Sequence, residues 1–507
     1  MSEGADIGKV VIGKDILELL TSAMYTDPLS VYREYVQNAV DSLALAAEGG
    51  AAPDRTAPEI GISIDPNTRT IRVRDTGTGI PEDAFVARMT AIGASPKRGT
   101  TARGFRGVGR LAGLGFCREL VFRSRAGVGQ KVSEIRWDCA KLKAALRSAE
   151  YLRGLGQLVR DIVTVGTMTV LPGHPERFFE VEMNGVVRHR NDRLLDAAAV
   201  AEYLSQVAPV PFSPEFPFGR DIASFLRRHT DLGDVEIRIS GGEQLFRPHR
   251  GTFETDENGG TDEFTDVEFI EVPGTDGGAS AVAWILHHGY KGAIPGKALV
   301  KGLRFRSGNI QVGGHGIMDD LFPEPRFNSW TVGEVHVIDR RIVPNGRRDH
   351  YEESVHLGNL LNHLTPVGRD IAKRCRDSSV KRKWLREFEL HAAAAEEKMG
   401  VLAQGALGDT ARKAMVSEVD KTIAPMEKIS RMEDLAVEAE TILKPKVQEL
   451  RKELDKVAAR KPTDSPLARL PREKREMYEH LFELVYECST NRVAAKALID
   501  RILVKIL

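Results

Sequence analysis

Three polar residues, Glu34, Asn38 and Asp41, have the types and spacing that place them together on one face of a helix. Asn38 and Asp41 follow Glu34 by four and seven residues, and at about 3.6 residues per turn these offsets return to nearly the same azimuth. Such a row of oxygen-bearing side chains is either a functional surface or an ordinary solvated acidic face. The opposite stripe is apolar, which predicts a packed back: Tyr32, Tyr35, Val36, Ala39, Val40 and Leu43. Asp27 and Pro28 predict its N-cap and first turn.

A second polar position, Asp75, ends a segment that alternates like a half-buried strand. Ile71 and Val73 share its face, and a lone carboxylate on that face needs a donor partner. Gly77 and Gly79 follow at once, and glycines allow a tight turn against which a planar ligand can lie. The pattern therefore predicts a binding residue beside a backbone turn.

Two further glycine motifs come later in the chain. Residues 103–115 open a helical run with repeated glycines, a way of exposing backbone amides to phosphate. Residues 162–171 predict a strand with Gly166 and Thr167 at its centre. Each glycine motif alone is weak, but the ordered set E-x-x-x-N-x-x-D, D-x-G-x-G, G-F-R-G-V-G and G-T is specific.

Over roughly residues 10 to 185, the ordered set resembles the GHKL ATPase superfamily, which includes the ninety-kilodalton heat-shock chaperones, type II topoisomerases, MutL, MORC proteins and histidine kinases. The resemblance implies a Bergerat ATP-binding α/β sandwich, with Glu34 as the general base that orients the attacking water and Asn38 as the Mg²⁺ ligand. It implies that Asp75 accepts the adenine amino group, with Thr167 assisting directly or through water. The other implied nucleotide-binding residues are Asp41, Gly77, Gly79, Lys97, Gly104, Arg106, Gly107, Val108 and Gly109.

The segment from Ile80 to Arg103 is interpreted as a lid that closes over nucleotide. A general base for water is needed in an ATPase and not in a histidine kinase, so Glu34 favours ATP hydrolysis. The implied cofactors are ATP and Mg²⁺.

Residues 186–370 mix short strand patterns with glycine-rich turns, at 235–239, 281–287 and 332–338, and predict an α/β middle (transducer) domain. Residues 333–352 resemble the middle-domain catalytic loop of the heat-shock chaperones, matching at Pro344, Asn345, Arg348 and Asp349 with one residue fewer between proline and asparagine. The resemblance implies that Arg348 reaches the γ-phosphate. The neighbouring Arg347 leaves the choice of arginine open, and a surface turn with local salt bridges is the alternative. Lys297 and Lys301 are weaker candidates for the same pocket.

Residues 371–507 predict helices broken near Pro425, Pro445 and 461–471. The last turns carry an apolar stripe that packs either on the chain's own helices or in a two-fold interface, and we favour the interface: Leu498, Ile499, Ile502, Leu503, Ile506 and Leu507. Basic residues cluster at 373–383. Such a cluster is usually a solvated helix face, and a nucleic-acid contact is the alternative. The expected organisation is therefore an α+β chain with an ATP-binding domain (1–185), a middle domain (186–370) and a helical dimerisation region (371–507).

Composition fits a cytoplasmic enzyme. The four cysteines lie far apart in the sequence, which argues against a disulfide framework or a zinc site. The charges of 72 basic and 72 acidic residues cancel, so composition gives no electrostatic argument for nucleic-acid binding. No signal segment or membrane-length apolar run is present. We expect a homodimeric, ATP-driven clamp acting on protein clients. The alternatives are a DNA-linked ATPase resembling MutL or MORC proteins, in repair or defence against foreign DNA, and a nucleotide-sensing scaffold with little turnover.

Overall fold

A computed structural model describes residues 13–14, 16–18, 27–50, 59–93, 107–148, 150–151, 153–255 and 260–507. Alternating apolar residues form one sheet from β1 (Ile60–Asp65), β2 (Thr70–Asp75), β3 (Glu119–Arg125), β4 (Val132–Asp138), β5 (Val163–Met168), β6 (Phe178–Asn184) and β7 (Ile237–Ile239). Their order is β5-β4-β3-β6-β2-β1-β7, and only β1 and β7 pair in parallel. The segment predicted as a middle-domain strand at 235–239 therefore belongs to this first sheet, a strand order that periodicity alone does not encode.

Helices cover one face of this sheet: α1 (Ser30–Glu48), α2 (Glu82–Thr90), α3 (Cys139–Arg147), α4 (Leu155–Ile162) and α5 (Ala197–Val207). The apolar stripe of α1 enters the core as predicted, with Tyr32, Val36 and Val40 buried. The predicted helix start is two residues too early. Asp27 accepts from the Leu29 amide at 3.1 Å and closes a turn, and α1 begins at Ser30.

The other face of the sheet carries a ladder of ion pairs. The Arg123 guanidinium donates to Glu134, Glu180 and Glu182 at 2.8–2.9 Å. Burial and these arginine contacts act in opposite directions on Glu182, and the arginines prevail, lowering the pKa of that carboxyl to about 2. The ladder therefore pairs the charged side chains of this face with one another.

A second sheet follows helix α6 (Gly219–Arg227). Its strands are β10 (Asp266–Pro273), β11 (Ala279–His287), β12 (Gly302–Ser307), β13 (Ile310–Val312) and β14 (Val332–Val337), after a small hairpin of β8 (Thr252–Glu254) and β9 (Thr261–Glu263). The sheet order is β10-β11-β14-β12-β13, with β12 and β14 parallel. The strands predicted at 281–287 and 332–338 are confirmed as β11 and β14.

A buried ionic cluster holds β14 in place. Glu334 accepts from Arg306 at 2.6 Å and from Arg247 at 2.5 Å, and all three side chains are buried. Burial raises the pKa of Glu334, but the two arginines overcome this and hold it well below its ordinary value. Because a buried charge that loses its partner is strongly destabilising, the cluster fixes the strand from which the loop carrying Arg348 departs.

The C-terminal region is helical, as predicted, with α7 (Val355–Gln404), α8 (Asp409–Ile429), α9 (Lys444–Ala458), α10 (Arg472–Cys488) and α11 (Arg492–Ile506). The predicted break at Pro425 is wrong. Pro425 lies inside α8, where Ile423 and Met426 on either side of it are buried, so packing compensates for the lost hydrogen bond. Pro445 lies in the first turn of α9, where a proline is tolerated.

The chain divides into two compact units, Met1–Ala372 and Lys373–Leu507. The mixed α/β fold with a helical C-terminal region is as predicted, and the division of the first unit into domains 1–185 and 186–370 stays a prediction. Among the described residues, no helix has both the length and the apolar character to cross a membrane.

Candidate functional site

The front of α1 carries the predicted polar stripe. Asp41 is buried, and Glu34 and Asn38 are half-buried. Arg33, which the sequence analysis did not single out, donates to the Glu34 carboxylate at 3.2 Å. The contact restricts the orientation of the carboxylate on the helix.

The glycine-rich loop meets this stripe at Gly109, the first residue of the 3₁₀ helix Gly109–Gly115. A Cβ built on Gly109 would lie 2.3 Å from Oε2 of Glu34. The hydroxyl of Tyr35 accepts from the Gly113 amide at 2.9 Å, which ties the same helix to α1. The positive φ of 71° at Gly107 favours a glycine there. Phosphate binding by Gly107, Val108 and Gly109 stays a prediction.

Asp75 ends strand β2 in a buried position and accepts from the Gly77 amide at 3.0 Å. Packing alone requires both glycines of the turn. A Cβ on Gly77 would lie 2.2 Å from Oγ of Ser42, and one on Gly79 would lie 2.1 Å from the carbonyl oxygen of Arg125. The turn is thus pressed between the end of α1 and the end of β3, beside Asp75.

Thr167 lies far from this turn. Strand register runs from Asp75 through Phe179, Ser124 and Ser133 to Thr167. The two residues are therefore four strand-to-strand spacings apart, or about 19 Å. Thr167 is also exposed on the edge strand β5. This register corrects the expectation that Thr167 assists Asp75 directly or through one water, and any other nucleotide contact of Thr167 stays a prediction.

The loop that carries Arg347 and Arg348 reaches α1. The guanidinium of Arg33 donates to the carbonyl oxygen of Arg347 at 2.8 Å. Asn345 fastens the loop by donating to the carboxylate of Asp349 at 2.6 Å, and the Gly313 amide donates to the Arg348 carbonyl at 2.8 Å. Arg348 has φ of 54°, a left-handed conformation that is costly for a residue with a side chain and persists where surrounding contacts impose it.

The two adjacent arginines differ in environment. Arg347 is exposed, whereas Arg348 is buried. Burial lowers the pKa of Arg348 to about 10, and the charge of Glu34 acts in the opposite direction. The geometry therefore supports Arg348 rather than Arg347 as the arginine that faces the α1 stripe.

The remaining candidates either make other contacts or lie outside the residues that the structure describes. Lys297 pairs with Glu254 on the surface. Lys301 is half-buried, and its carbonyl oxygen accepts from Arg304. Lys97, Gly104 and Arg106, with residues 94–103 of the expected lid, lie outside the described residues.

Two further residues near the stripe were missed. Tyr203 of α5 is half-buried, and burial raises its pKa to about 12 with smaller effects from Arg33, Asp27 and Glu34. Ser42 accepts from the Thr78 amide at 3.2 Å. No local sequence signal marks either one, because their partners are distant along the chain.

The donor set on α1 fits Mg²⁺ carried by a nucleotide. No group of three or more His, Cys, Asp or Glu capable of holding a metal occurs in the part of the chain that the structure describes. Magnesium is usually bound by one or two protein oxygens together with substrate phosphates. The half-buried amide of Asn38, one turn from Glu34, suits that need.

Comparison with known proteins agrees with this geometry. Residues 25–152 match the family described as histidine kinase-, DNA gyrase B- and HSP90-like ATPase. The chaperone protein HtpG of Chlorobium luteolum is 32% identical over 87 residues, covering 16% of this chain and 14% of the relative. HtpG of Methylibium petroleiphilum is 29% identical over 145 residues, covering 25% and 23%. The mitochondrial heat shock protein 75 kDa of Bos taurus is 31% identical over 87 residues, covering 16% and 12%.

The chain thus spans less than a quarter of the length of these relatives. Within that segment, the predicted resemblance to the GHKL superfamily and to the heat-shock chaperones is confirmed.

Proposed function

We propose that this protein is an Mg²⁺-dependent ATPase of chaperone-like type that hydrolyses ATP to ADP. The observation that carries the proposal is the convergence of two distant segments on α1 at Glu34 and its neighbour Arg33. Gly109 of the glycine-rich loop packs against the Glu34 carboxylate, and Arg33, which pairs with that carboxylate at 3.2 Å, donates at 2.8 Å to the Arg347 carbonyl in the loop that carries the buried Arg348.

In the proposed reaction, Glu34 takes a proton from the water whose oxygen attacks the γ-phosphorus, and the bond to the bridging oxygen of the leaving ADP breaks. Arg348 neutralises charge on the transferred group, since a guanidinium stays protonated and can donate two hydrogen bonds to phosphate oxygens. Asp75 accepts from the adenine amino group, and Asn38 would hold Mg²⁺. The ion would screen the phosphate charges. Catalysis of this kind rests mainly on positioning and charge stabilisation.

The experiment that tests this function measures ADP release and nucleotide binding on the full chain. Glu34→Ala should retain ATP binding by calorimetry and lose at least about a hundredfold in turnover, because only the proton acceptor is removed. Asn38→Ala should weaken binding measured with Mg²⁺ more than binding without it. Near-normal turnover by Glu34→Ala would remove Glu34 from its role, and no binding of ATP by the wild type would refute the function.

A homodimeric clamp is the second element of the proposal. Helix α10 exposes Met477, Leu481 and Leu484, at offsets of four and seven residues. This spacing gives one helix an apolar seam of the kind that pairs with a second helix. A second copy of the chain is the proposed occupant, and a cytoplasmic location and protein clients follow from the chaperone relatives as proposals.

A further inference from the structure

A buried polar atom on α1 has no role in the site described so far. Gln37 is 3% exposed, and its amide oxygen Oε1 has no hydrogen-bond partner among the described residues. Buried polar groups are nearly always paired, because leaving water without a replacement bond is costly. Such an acceptor is available to a donor that another state of the molecule brings to it.

The position of Gln37 on α1 limits which donor that is. Gln37 lies four residues after Arg33, four before Asp41 and three after Glu34. Side chains at these offsets are neighbours on a helix surface. Gln37 is therefore on the front half of α1, between the residue that contacts the middle-domain loop and the residues of the polar stripe.

Arg348 faces the same neighbours. Burial has the largest effect on the pKa of Arg348 and lowers it. The charges of Glu34 and Asp41 raise this pKa, and the charge of Arg33 lowers it. These three residues surround Gln37 on the helix. The loop is brought to this face by the bond of 2.8 Å from Arg33 to the Arg347 carbonyl, and Arg33 lies one turn before Gln37. The adjacent, buried Arg348 is therefore the candidate donor that this loop carries to the same side of α1.

We propose that Gln37 is a positioning residue for Arg348: its amide oxygen accepts a hydrogen bond from the guanidinium when ATP is bound and directs the remaining donors at the γ-phosphate. The inference rests on the proposed ATPase function. A neutral amide suits this task because it orients the guanidinium without cancelling its charge. A carboxylate in its place would compete with the phosphate for the same donors.

A double-mutant cycle tests the coupling. Gln37→Met keeps the length of the side chain and removes the acceptor, and should lower kcat about tenfold with little change in KM, since the bond acts on the reacting geometry. In an Arg348→Ala background the same substitution should cause no further loss. If Gln37→Met has a lower melting temperature than the wild type, Gln37→Leu is used as the second variant.

Ser280→Ala is the matched control. Ser280 lies in the second sheet, is 1% exposed, and its Oγ likewise has no hydrogen-bond partner among the described residues. Removing that oxygen should leave kcat unchanged, which separates a role at the site from the general effect of deleting a buried polar atom.

Unchanged kcat in Gln37→Met, or losses that multiply in the double variant, would overturn the positioning role while a working wild type upheld the ATPase. A wild type that neither binds nor hydrolyses ATP would instead refute the proposed function, and this inference with it.

Discussion

The carboxylate of Glu34 lies against the α-carbon of Gly109, so that a methyl group there would stand 2.3 Å from Oε2. The contact joins the polar stripe of α1 to the glycine-rich loop across 75 residues of sequence. It explains the glycine by close approach of a side chain, independently of any phosphate.

Gly109→Ala should therefore displace the Glu34 carboxylate. A misplacement of about 1 Å at a reacting group can cost a hundredfold, so we expect kcat to fall by about that factor with ATP binding largely kept. Gly127→Ala is the control, since an added Cβ there meets nothing within 4 Å. The prediction is tested by measuring steady-state ADP release and calorimetric ATP binding. Equal kcat in both variants would show that the residue at position 109 does not determine where the Glu34 carboxylate lies.

Arg348→Ala should slow hydrolysis in the full chain by about two to three orders of magnitude, at or just below the lower end of the range for an arginine finger. Arg347→Ala should have a much milder effect, because Arg347 is exposed and contributes its backbone carbonyl, not its side chain, to Arg33. Turnover is measured for both substitutions. Equal small effects would mean a surface turn, and a large effect confined to Arg347 would reverse the assignment.

Asp75→Asn should abolish adenine recognition, since an acceptor facing the amino group becomes partly a donor. A loss of ATP affinity of at least about a hundredfold is expected, because a buried polar group would be left unpaired. Thr167→Ala should change affinity little, given the three strands between the two residues. Calorimetry with ATP and ADP tests both, and tight binding by Asp75→Asn would contradict the assignment.

Local pattern predicted the parts of the site that lie within one element. The stripe of Glu34, Asn38 and Asp41 follows from helical periodicity, and the burial of Asp75 follows from strand alternation. Contacts between distant segments were out of reach. Arg33 meets the carbonyl of residue 347 across a separation of 314 residues, and nothing near Arg33 in the sequence encodes that pairing.

Sheet order limited the remaining predictions. Thr167 was associated with Asp75 through a family pattern, but the order β5-β4-β3-β6-β2 separates them. The choice between Arg347 and Arg348 likewise depended on which side chain is buried. Alternation of apolar and polar residues does not predict this in a loop whose backbone passes through a left-handed residue.

Truncating the chain at residue 465 would not test the expected C-terminal interface. Ile499 and Leu503 of the terminal stripe are buried with Phe482, Leu467 and Val401 in the core of the C-terminal unit. Removing residues 465–507 would expose that core and unfold the unit whether or not it is an interface. For these two residues the intramolecular alternative is therefore correct, whereas Leu498 and Leu507 of the stripe are exposed. The surface that we propose for a second copy is the exposed seam of α10.

Replacing Leu481 and Leu484 together by glutamate should convert a dimer into monomers, because like charges would face each other where apolar side chains meet. Both residues are over 40% exposed, so the melting temperature of the monomeric unit should change little. Val437→Glu with Ile442→Glu is the matched control, since these residues are also apolar and exposed in the same unit but lie outside α10. Light scattering coupled to size exclusion measures the mass. A wild-type monomer, or a dimer that survives the α10 substitutions, would show that the seam does not bind a second copy.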